Sequence, residues 1–230
     1  MKILCIIPAR RDSKGIPGKN WKLLNNVPLI GYSIEVAKQA TGIDEICIST
    51  NSEQVIEIAK KQYGLNVPFT RPEKISLDTT SSHDVLIHAI EYYESKGMGF
   101  DAILLLQPTS PFRKVEFINK SIELFKKSDC DMVVSVCETP LNPYYNLYNE
   151  TDGFIHRSIP SNFTRRQDCP KTYLVNGSIY VISVNSLKKQ PLHEMKKVIK
   201  YEIPEEFSLD LDTLNDWEKA EKILNNNENN

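Results

Sequence analysis

The feature that most constrains the fold of this chain is a regular alternation of short apolar runs with segments of helical spacing. Five runs are β-rich and almost continuously apolar, at 3–7, 45–49, 102–106, 132–136 and 178–182. Runs without polar alternation are typical of strands that a parallel sheet buries on both faces. The alternation with helices therefore predicts an α/β chain with a doubly wound, mostly parallel sheet.

The segments between these runs carry apolar stripes at the spacing of an amphipathic helix. The stripes consist of Ile30, Ile34 and Ala37; Leu86, Ile90 and Tyr93; Val115, Ile118, Ile122 and Phe125; and Trp217, Ala220 and Leu224. Ligands of doubly wound sheets bind beyond the carboxyl ends of the strands, so functional residues are expected in the loops that follow strands. The polar tail at 225–230 is expected to fray.

Composition narrows the function classes. The 230 residues include 28 Lys and Arg and 30 Asp and Glu, a net charge of −2, which argues against a general nucleic-acid binder. No apolar window approaches the roughly 18 residues of a membrane span, and the first residues do not fit a signal peptide. Five widely spaced cysteines without a C-x-x-C motif favour a reducing, cytoplasmic location and argue against zinc.

One segment, at about 139–172, interrupts the alternation. It is rich in Pro, Asn and Tyr and has no helical stripe. We interpret it as an inserted arm of β-hairpins that contacts another subunit. The chain is otherwise predicted to form a single domain over residues 1–230, a length that can bury a core without metal or disulfide staples.

The loop after the first strand carries the strongest chemical signal. Residues 8–20 contain four cations, Arg10, Arg11, Lys14 and Lys19, together with two glycines. Glycines let backbone N–H groups approach an anion, and the cations neutralise it, so a phosphate chain is the expected ligand. A charged, solvated turn is the simpler alternative, but the position directly after a buried strand favours phosphate binding.

Two familiar phosphate loops do not fit this segment. A Walker A loop needs Gly at position 13 and Ser or Thr at position 20, where this chain has Ser13 and Asn20. A dinucleotide fingerprint needs three glycines in G-x-G-x-x-G spacing, and only Gly15 and Gly18 are present.

Two carboxylates near the carboxyl end suggest a metal site. Asp210 and Asp212 would point to the same face of an extended segment, where a divalent cation such as Mg²⁺ would relieve their repulsion. The alternative is that Asp212 or Thr213 caps the helix that contains Trp217. Both interpretations are compatible if a strand end leads into that helix.

Polar side chains suited to a sugar follow the third apolar run. Gln107, Thr109 and Ser110 lie where a ligand loop is expected, although Pro108 and Pro111 would produce a turn there in any case. Arg166, in the arm, could pair with a carboxylate through two hydrogen bonds, or form a surface salt bridge.

Several segments in chain order resemble the acylneuraminate cytidylyltransferases, the CMP-sialic acid or CMP-nonulosonic acid synthetases. Their matching stretches are Ile6–Arg10 with Ser13–Pro17 and Lys19–Asn20, Arg71–Glu73, Asp78–Ser82, Leu105–Pro111 with Arg113, Arg166–Gln167, Asn176–Tyr180 and Asp210–Thr213. The resemblance covers nearly the whole chain.

The resemblance implies a Rossmann-like nucleotidyltransferase that dimerises through its arm. It would transfer CMP from CTP to the anomeric hydroxyl of a nine-carbon sugar acid, release pyrophosphate, and require Mg²⁺, with Mn²⁺ as an alternative. Arg10, Lys19, Asp210 and Asp212 would be catalytic. CTP would be bound by Ala9, Arg10, Ser13, Lys14, Lys19, Asn20, Arg71 and Ser82; the sugar by Gln107, Thr109, Ser110 and Arg166.

One departure leaves the sugar open. Many sialic-acid members carry arginine where this chain has Leu174, so legionaminic and pseudaminic acids are alternatives to sialic acid. A CMP-Kdo-type enzyme is a further alternative, although its branch usually has Ser-Thr-Arg where this chain has Ser13-Lys14-Gly15. A catalytically silent nucleotide-binding regulator on the same fold is the alternative from a different class.

Overall fold

A computed structural model of the protein describes residues 1–228. The strands within these residues are β1 (Ile3–Pro8), β2 (Leu23–Leu24), β3 (Val27–Pro28), β4 (Glu45–Ser49), β5 (Ala102–Leu105), β6 (Met132–Thr139), β7 (Tyr148–Thr151), β8 (Phe154–Arg157), β9 (Thr172–Ser183) and β10 (Val198–Glu202). The α-helices are α1 (Leu29–Gln39), α2 (Glu53–Tyr63), α3 (Ser82–Ser95), α4 (Val115–Lys126), α5 (Val184–Leu187) and α6 (Leu214–Glu228).

The central sheet has the strand order β10-β6-β9-β5-β1-β4. The β1·β4, β1·β5 and β6·β10 pairs are parallel, which confirms the mostly parallel sheet and all five predicted strands. One expectation is wrong: the run at 178–182 belongs to β9, which is antiparallel to both of its neighbours. Its apolar character reflects burial in the centre of the sheet, which either strand direction permits. The sequence analysis missed β10, an edge strand whose residues are partly exposed.

Helices pack on both faces of the sheet. Alternate β1 residues divide between two apolar clusters, with Ile3, Cys5 and Ile7 facing α1, α2 and α4, and Leu4 and Ile6 facing α3 and α5. All five are fully buried, so apolar residues are required at every position of the strand. This arrangement is the doubly wound architecture that the alternation predicts.

The inserted segment connects β6 to β9, the two strands of a long antiparallel ladder, and contains one hairpin. The ladder extends to the pair Thr139–Thr172, so the segment begins and ends at the predicted positions. Strands β7 and β8 form the hairpin, joined through Asp152 and Gly153, which both have positive φ. Arm and hairpin are thus present, while the rest of the segment is irregular.

The carboxyl end of the described chain is helical. Helix α6 includes residues 225–228 of the predicted tail, and positions 229 and 230 lie outside the described residues, so fraying stays a prediction. Within the described part of the chain, no helix has the length and apolar character needed to cross a bilayer.

Candidate active site

A cavity of about 390 Å³ opens beyond the carboxyl ends of β1 and β5, at the edge of the sheet where ligand loops are expected. Loops after both strands line it, together with the segment before α3 and the segment before α6. Ten predicted site residues line it: Arg10, Ser13, Lys19, Asn20, Arg71, Ser82, Gln107, Thr109, Asp210 and Asp212.

The first loop is held against the acidic segment by one apolar residue. Ile16 is fully buried and belongs to a small cluster with Leu211 and Trp217. Gly15, the preceding residue, also packs closely against this segment: a Cβ at this position would lie 2.0 Å from the Asp212 carbonyl oxygen. The cationic loop and the two aspartates therefore share one wall, although about 190 residues separate them in the chain.

Lys19 connects these two segments directly. Its Nζ donates to the Leu211 carbonyl at 2.8 Å and to Asp212 Oδ1 at 3.1 Å. The lysine side chain is only 11% exposed, whereas that of Asp212 is 70% exposed. The ammonium is thus fixed by the main chain, while the carboxylate keeps access to a ligand in the cavity.

Arg10 and Lys14 share an internal anion, Asp78. Arg10 Nη1 lies 2.5 Å from Asp78 Oδ1, and Lys14 Nζ lies 2.8 Å from Asp78 Oδ2. The hydrogen bond from Lys14 and the charge of Arg10 hold the pKa of Asp78 below its usual range. Each carboxylate oxygen therefore engages one cation of the first loop.

Arg71 approaches the cavity from the end of β4. Its backbone N–H donates to the Thr50 carbonyl at 2.7 Å, and its Nε donates to Ser76 Oγ at 3.1 Å. Burial, with Arg10 nearby, lowers the pKa of Arg71 to about 10, so the side chain stays charged at neutral pH. Asn20, which also lines the cavity, donates through Nδ2 to the Arg10 carbonyl at 2.9 Å.

The amino end of α3 points its positive dipole toward the cavity. Ser81 caps the helix by accepting the Asp84 N–H at 3.2 Å, and Ser82 begins it. Both serines line the cavity. The helix terminus adds to the positive potential that Arg10, Lys19 and Arg71 provide.

Asp210 carries a buried carboxylate oxygen with an unused acceptor position. Its Oδ1 is buried and has no hydrogen-bond partner, although the hydroxyl of Thr109 donates to the carboxylate. Burial, and the charge of Asp212, raise the pKa of Asp210 above its usual value. A buried unsatisfied carboxylate oxygen beside a second carboxylate is the environment that a divalent cation stabilises.

Thr213, not Asp212, caps α6. The Asp216 N–H donates to Thr213 Oγ1 at 3.3 Å, and the Thr213 N–H donates to the Asp216 carboxylate at 3.0 Å, which is a capping box. Asp212 lies one residue earlier and has Lys19 as its partner. The capping alternative for Asp212 is therefore wrong.

Four predicted site residues do not line this cavity. Ala9 is fully buried, and its carbonyl accepts the Thr50 hydroxyl. Lys14 is exposed and reaches the site only through Asp78. Ser110 is buried and donates to the Asn176 carbonyl at 3.3 Å. Arg166 lies at a separate cavity of about 250 Å³ in the arm.

Leu174 does not line this cavity either. It is 53% exposed on β9 and lines a different, apolar depression with Leu209 and Ile223. The expectation that position 174 faces the sugar carboxylate stays a prediction.

Two charged residues at or beside the cavity, Asp78 and Arg113, were not predicted from the sequence. Asp78 lies in a quoted motif but had no role, because a lone acid in a loop does not reveal its partners. Arg113 is 3% exposed and donates to Ser33, Ser178 and the Gln107 carbonyl. An arginine that follows a Pro-bracketed turn is a weak signal for such burial.

Comparisons with known proteins agree with the geometry. A sequence model described as "Cytidylyltransferase" matches residues 4–229. The CMP-N,N'-diacetyllegionaminic acid synthase of Legionella pneumophila is 36% identical over 99% of this chain and 98% of its own length. An N-acylneuraminate cytidylyltransferase of Streptococcus agalactiae serotype V is 33% identical over 94% of this chain, which spans about half (52%) of that protein.

A solved structure agrees at the level of the fold. A CMP:2-keto-3-deoxy-manno-octonic acid synthetase in complex with CTP superimposes with a TM-score of 0.74 and 18% identity, covering 99% of this chain and 100% of that one. The likeness extends over the complete sheet and its flanking helices.

Proposed function

The chain belongs to the cytidylyltransferase family, and from this premise we propose that it transfers CMP from CTP to the anomeric hydroxyl of a nonulosonic acid and releases pyrophosphate. The relatives supply the reaction class, because one is named for the synthesis of CMP-N,N'-diacetyllegionaminic acid and the other for cytidylyl transfer to N-acylneuraminate. The observation that carries the proposal is a single cavity lined by the cationic loop, a polar loop and two carboxylates.

We propose that Asp210 and Asp212 hold a divalent cation, Mg²⁺ or Mn²⁺. The unsatisfied Oδ1 of Asp210 and the exposed carboxylate of Asp212 fit such an ion. No cluster of three or more His, Cys, Asp or Glu residues suited to a metal occurs in residues 1–228, so phosphates and water would complete the shell, as Mg²⁺ prefers. When bound, the ion would neutralise charge on the phosphates.

In this proposal, the residues of the chain position the two substrates and form no covalent bond themselves. Bonds form and break only between the sugar acid and CTP. Arg10 and Lys19 neutralise the phosphates from the first loop, with Ser13 beside them. Asn20, Arg71 and Ser82 surround the nucleoside end. Gln107 and Thr109 hold the sugar acid, so that its anomeric oxygen approaches the α-phosphorus opposite the departing pyrophosphate.

The direct test measures pyrophosphate release by the purified protein with CTP, Mg²⁺ and a panel of sialic, legionaminic, pseudaminic and Kdo acids. We expect release with at least one nonulosonic acid, and none when CTP is replaced by ATP or GTP. Matched reactions with EDTA test the cation requirement. CTP binding without release of pyrophosphate from CTP, whichever acid is present, would instead select the silent regulator.

The panel is also the experiment that identifies the acid. The two relatives differ little in identity, 36% and 33%, and their names specify different acids, so overall similarity does not choose between them. If kcat/KM for one acid exceeds that for every other acid by more than about a hundredfold, the site hydrogen-bonds the groups in which the acids differ.

We further propose that two copies associate through the arm. Phe154 and Ile155, in the β7–β8 hairpin, are 70% and 67% exposed, and neighbouring Tyr148 is 47% exposed. Apolar side chains this exposed are typical of contact surfaces. Within one chain Arg166 does not line the cavity with Gln107, so a role in sugar binding requires a second copy. A cytoplasmic location stays a prediction, supported by five free cysteines.

A further inference from the structure

Strand β9 bulges beside the cavity. In the β6·β9 ladder, Val136 pairs with Val175 and Val134 pairs with Tyr180, so one residue of β6 lies opposite four residues of β9. Ser135 stabilises this bulge, since its hydroxyl donates to Asn176 Oδ1 at 2.7 Å and accepts the Ile179 N–H at 2.8 Å. Bulges commonly re-aim a side chain or open space near an active site.

The bulge makes room for the side chain of Gln107. Gly177, within the bulge, has φ +70°, and a Cβ at this position would lie 2.7 Å from Gln107 Oε1 and 3.7 Å from Ser110 Oγ. The end of the Gln107 amide therefore rests directly on the Gly177 backbone. Any side chain at position 177 would displace the amide from its place on the cavity wall.

The main chain of Gln107 is fixed independently, by Arg113. This buried guanidinium donates through Nη2 to the Gln107 carbonyl, through Nη1 to Ser33 Oγ at 2.6 Å, and through Nε to Ser178 Oγ at 3.3 Å. The three acceptors belong to the loop after β5, to α1 and to the bulge. A planar fork of donors suits this task, which a lysine could perform only in part.

We propose that Gly177 and Arg113 are positioning residues for Gln107: the glycine sets the direction of its amide, and the arginine sets the place of its backbone. Neither residue lines the cavity. The inference rests on the proposed function, because it assigns Gln107 to the sugar acid. It predicts that a substitution at either position lowers kcat/KM for the acid and leaves the KM for CTP unchanged.

The test is a double-mutant cycle between Gly177→Ala and Gln107→Ala, measured as kcat/KM for whichever acid the wild type uses. We expect Gly177→Ala to lower kcat/KM for the acid about tenfold, since small misplacements of a positioning group carry costs of this order. The KM for CTP should not change. In the Gln107→Ala background, Gly177→Ala should have no further effect, because no side chain remains to be displaced.

Two further variants complete the design. Gly64→Ala is the matched control, since Gly64 has φ +67° and nothing within 4 Å of its added Cβ, so it reproduces the backbone strain alone. Arg113→Lys should also raise the KM for the acid and spare that for CTP. If Arg113→Lys does not fold, the double-mutant cycle between Gly177 and Gln107 still tests the inference.

Equal losses from Gly177→Ala in both backgrounds, or a parallel rise in the KM for CTP, would overturn the inference. The proposed function is decided separately, by whether the wild type uses any acid at all.

Discussion

At the residue scale, the most informative contact is the one between Asp78 and two cations. The triphosphate and the Asp78 carboxylate would compete for Arg10 and Lys14, since each oxygen of Asp78 already engages one of them. The nucleotide brings more negative charge than a single carboxylate, so it can displace the internal partner. The free energy needed to break the two ion pairs of Asp78 would therefore weaken CTP binding.

We predict that Asp78→Asn binds CTP more tightly, by about threefold to tenfold, the range expected when two partly exposed ion pairs no longer have to be broken. Titration calorimetry at low and physiological salt measures the effect. Asp12→Asn is the control, because it makes the same change of charge within the first loop itself, where Asp12 pairs with Arg11 instead. Weaker binding by Asp78→Asn would show that the carboxylate orients the two cations rather than competing for them.

A second prediction at this scale separates the proposed cation site from helix capping. Asp212→Asn should lower kcat by about a hundredfold or more, because it removes a negatively charged ligand of the proposed cation, while the melting temperature stays near that of the wild type. Thr213→Ala is the reciprocal control: it loses the α6 cap, costs about 1 kcal/mol, and should spare kcat. Full turnover by Asp212→Asn would remove this residue from the catalytic set.

Residues that line the cavity could be proposed from the sequence where their type and spacing indicate a chemistry, but not where distant partners define their role. Arg10, Lys19 and the Asp210–Asp212 pair are recognisable because several like charges in one short segment need a counter-charge. Arg113 could not be recognised, since its acceptors are two serines and a main-chain carbonyl from three separate segments.

At the scale of elements, the first loop and the segment before α6 behave as one unit. Gly15 allows their backbones to meet, because even a methyl group would overlap the Asp212 carbonyl. Two backbones cannot relieve such a clash by changing a rotamer. The loop would have to move away, and it would take Lys19 from its partners on the facing segment.

We therefore predict that Gly15→Ala weakens CTP binding by at least about tenfold and lowers the free energy of unfolding by about 1–3 kcal/mol, the usual cost of overpacking. Calorimetry with CTP and chemical denaturation measure the two effects. Gly99→Ala provides the comparison, since its Cβ would meet nothing within 4 Å. Unchanged affinity in Gly15→Ala would mean that the loop binds phosphate without its contact to residue 212.

Element prediction succeeded where burial controls the sequence pattern. Strands buried on both faces, such as β1, need apolar residues throughout and are readily recognised. Strand β10 escaped because an edge strand with partly exposed residues, such as Lys200 and Glu202, lacks this pattern. The direction of β9 could not be predicted, since a buried central strand looks the same in either orientation.

At the scale of the whole molecule, the loops that line the cavity lie beyond the carboxyl ends of β1 and β5, and the arm projects from the β6·β9 ladder. Burying Phe154 and Ile155 against a second copy would remove this apolar surface from water, at a gain of about 25 cal/mol per Å².

We predict that the wild type sediments as a dimer and that the double variant Phe154→Ser with Ile155→Ser sediments as a monomer. Sedimentation velocity at several concentrations measures the change, and circular dichroism verifies that the sheet is retained. Met98→Ser is the matched control: Met98 is 41% exposed beyond the end of α3, away from the arm, and its replacement should leave the dimer intact. If Arg166 serves the cavity of a second copy, the monomeric variant should also show a raised KM for the acid with CTP binding retained. A wild type that stays monomeric at all concentrations would contradict the proposed association through the arm and, with it, any role for Arg166 in sugar binding.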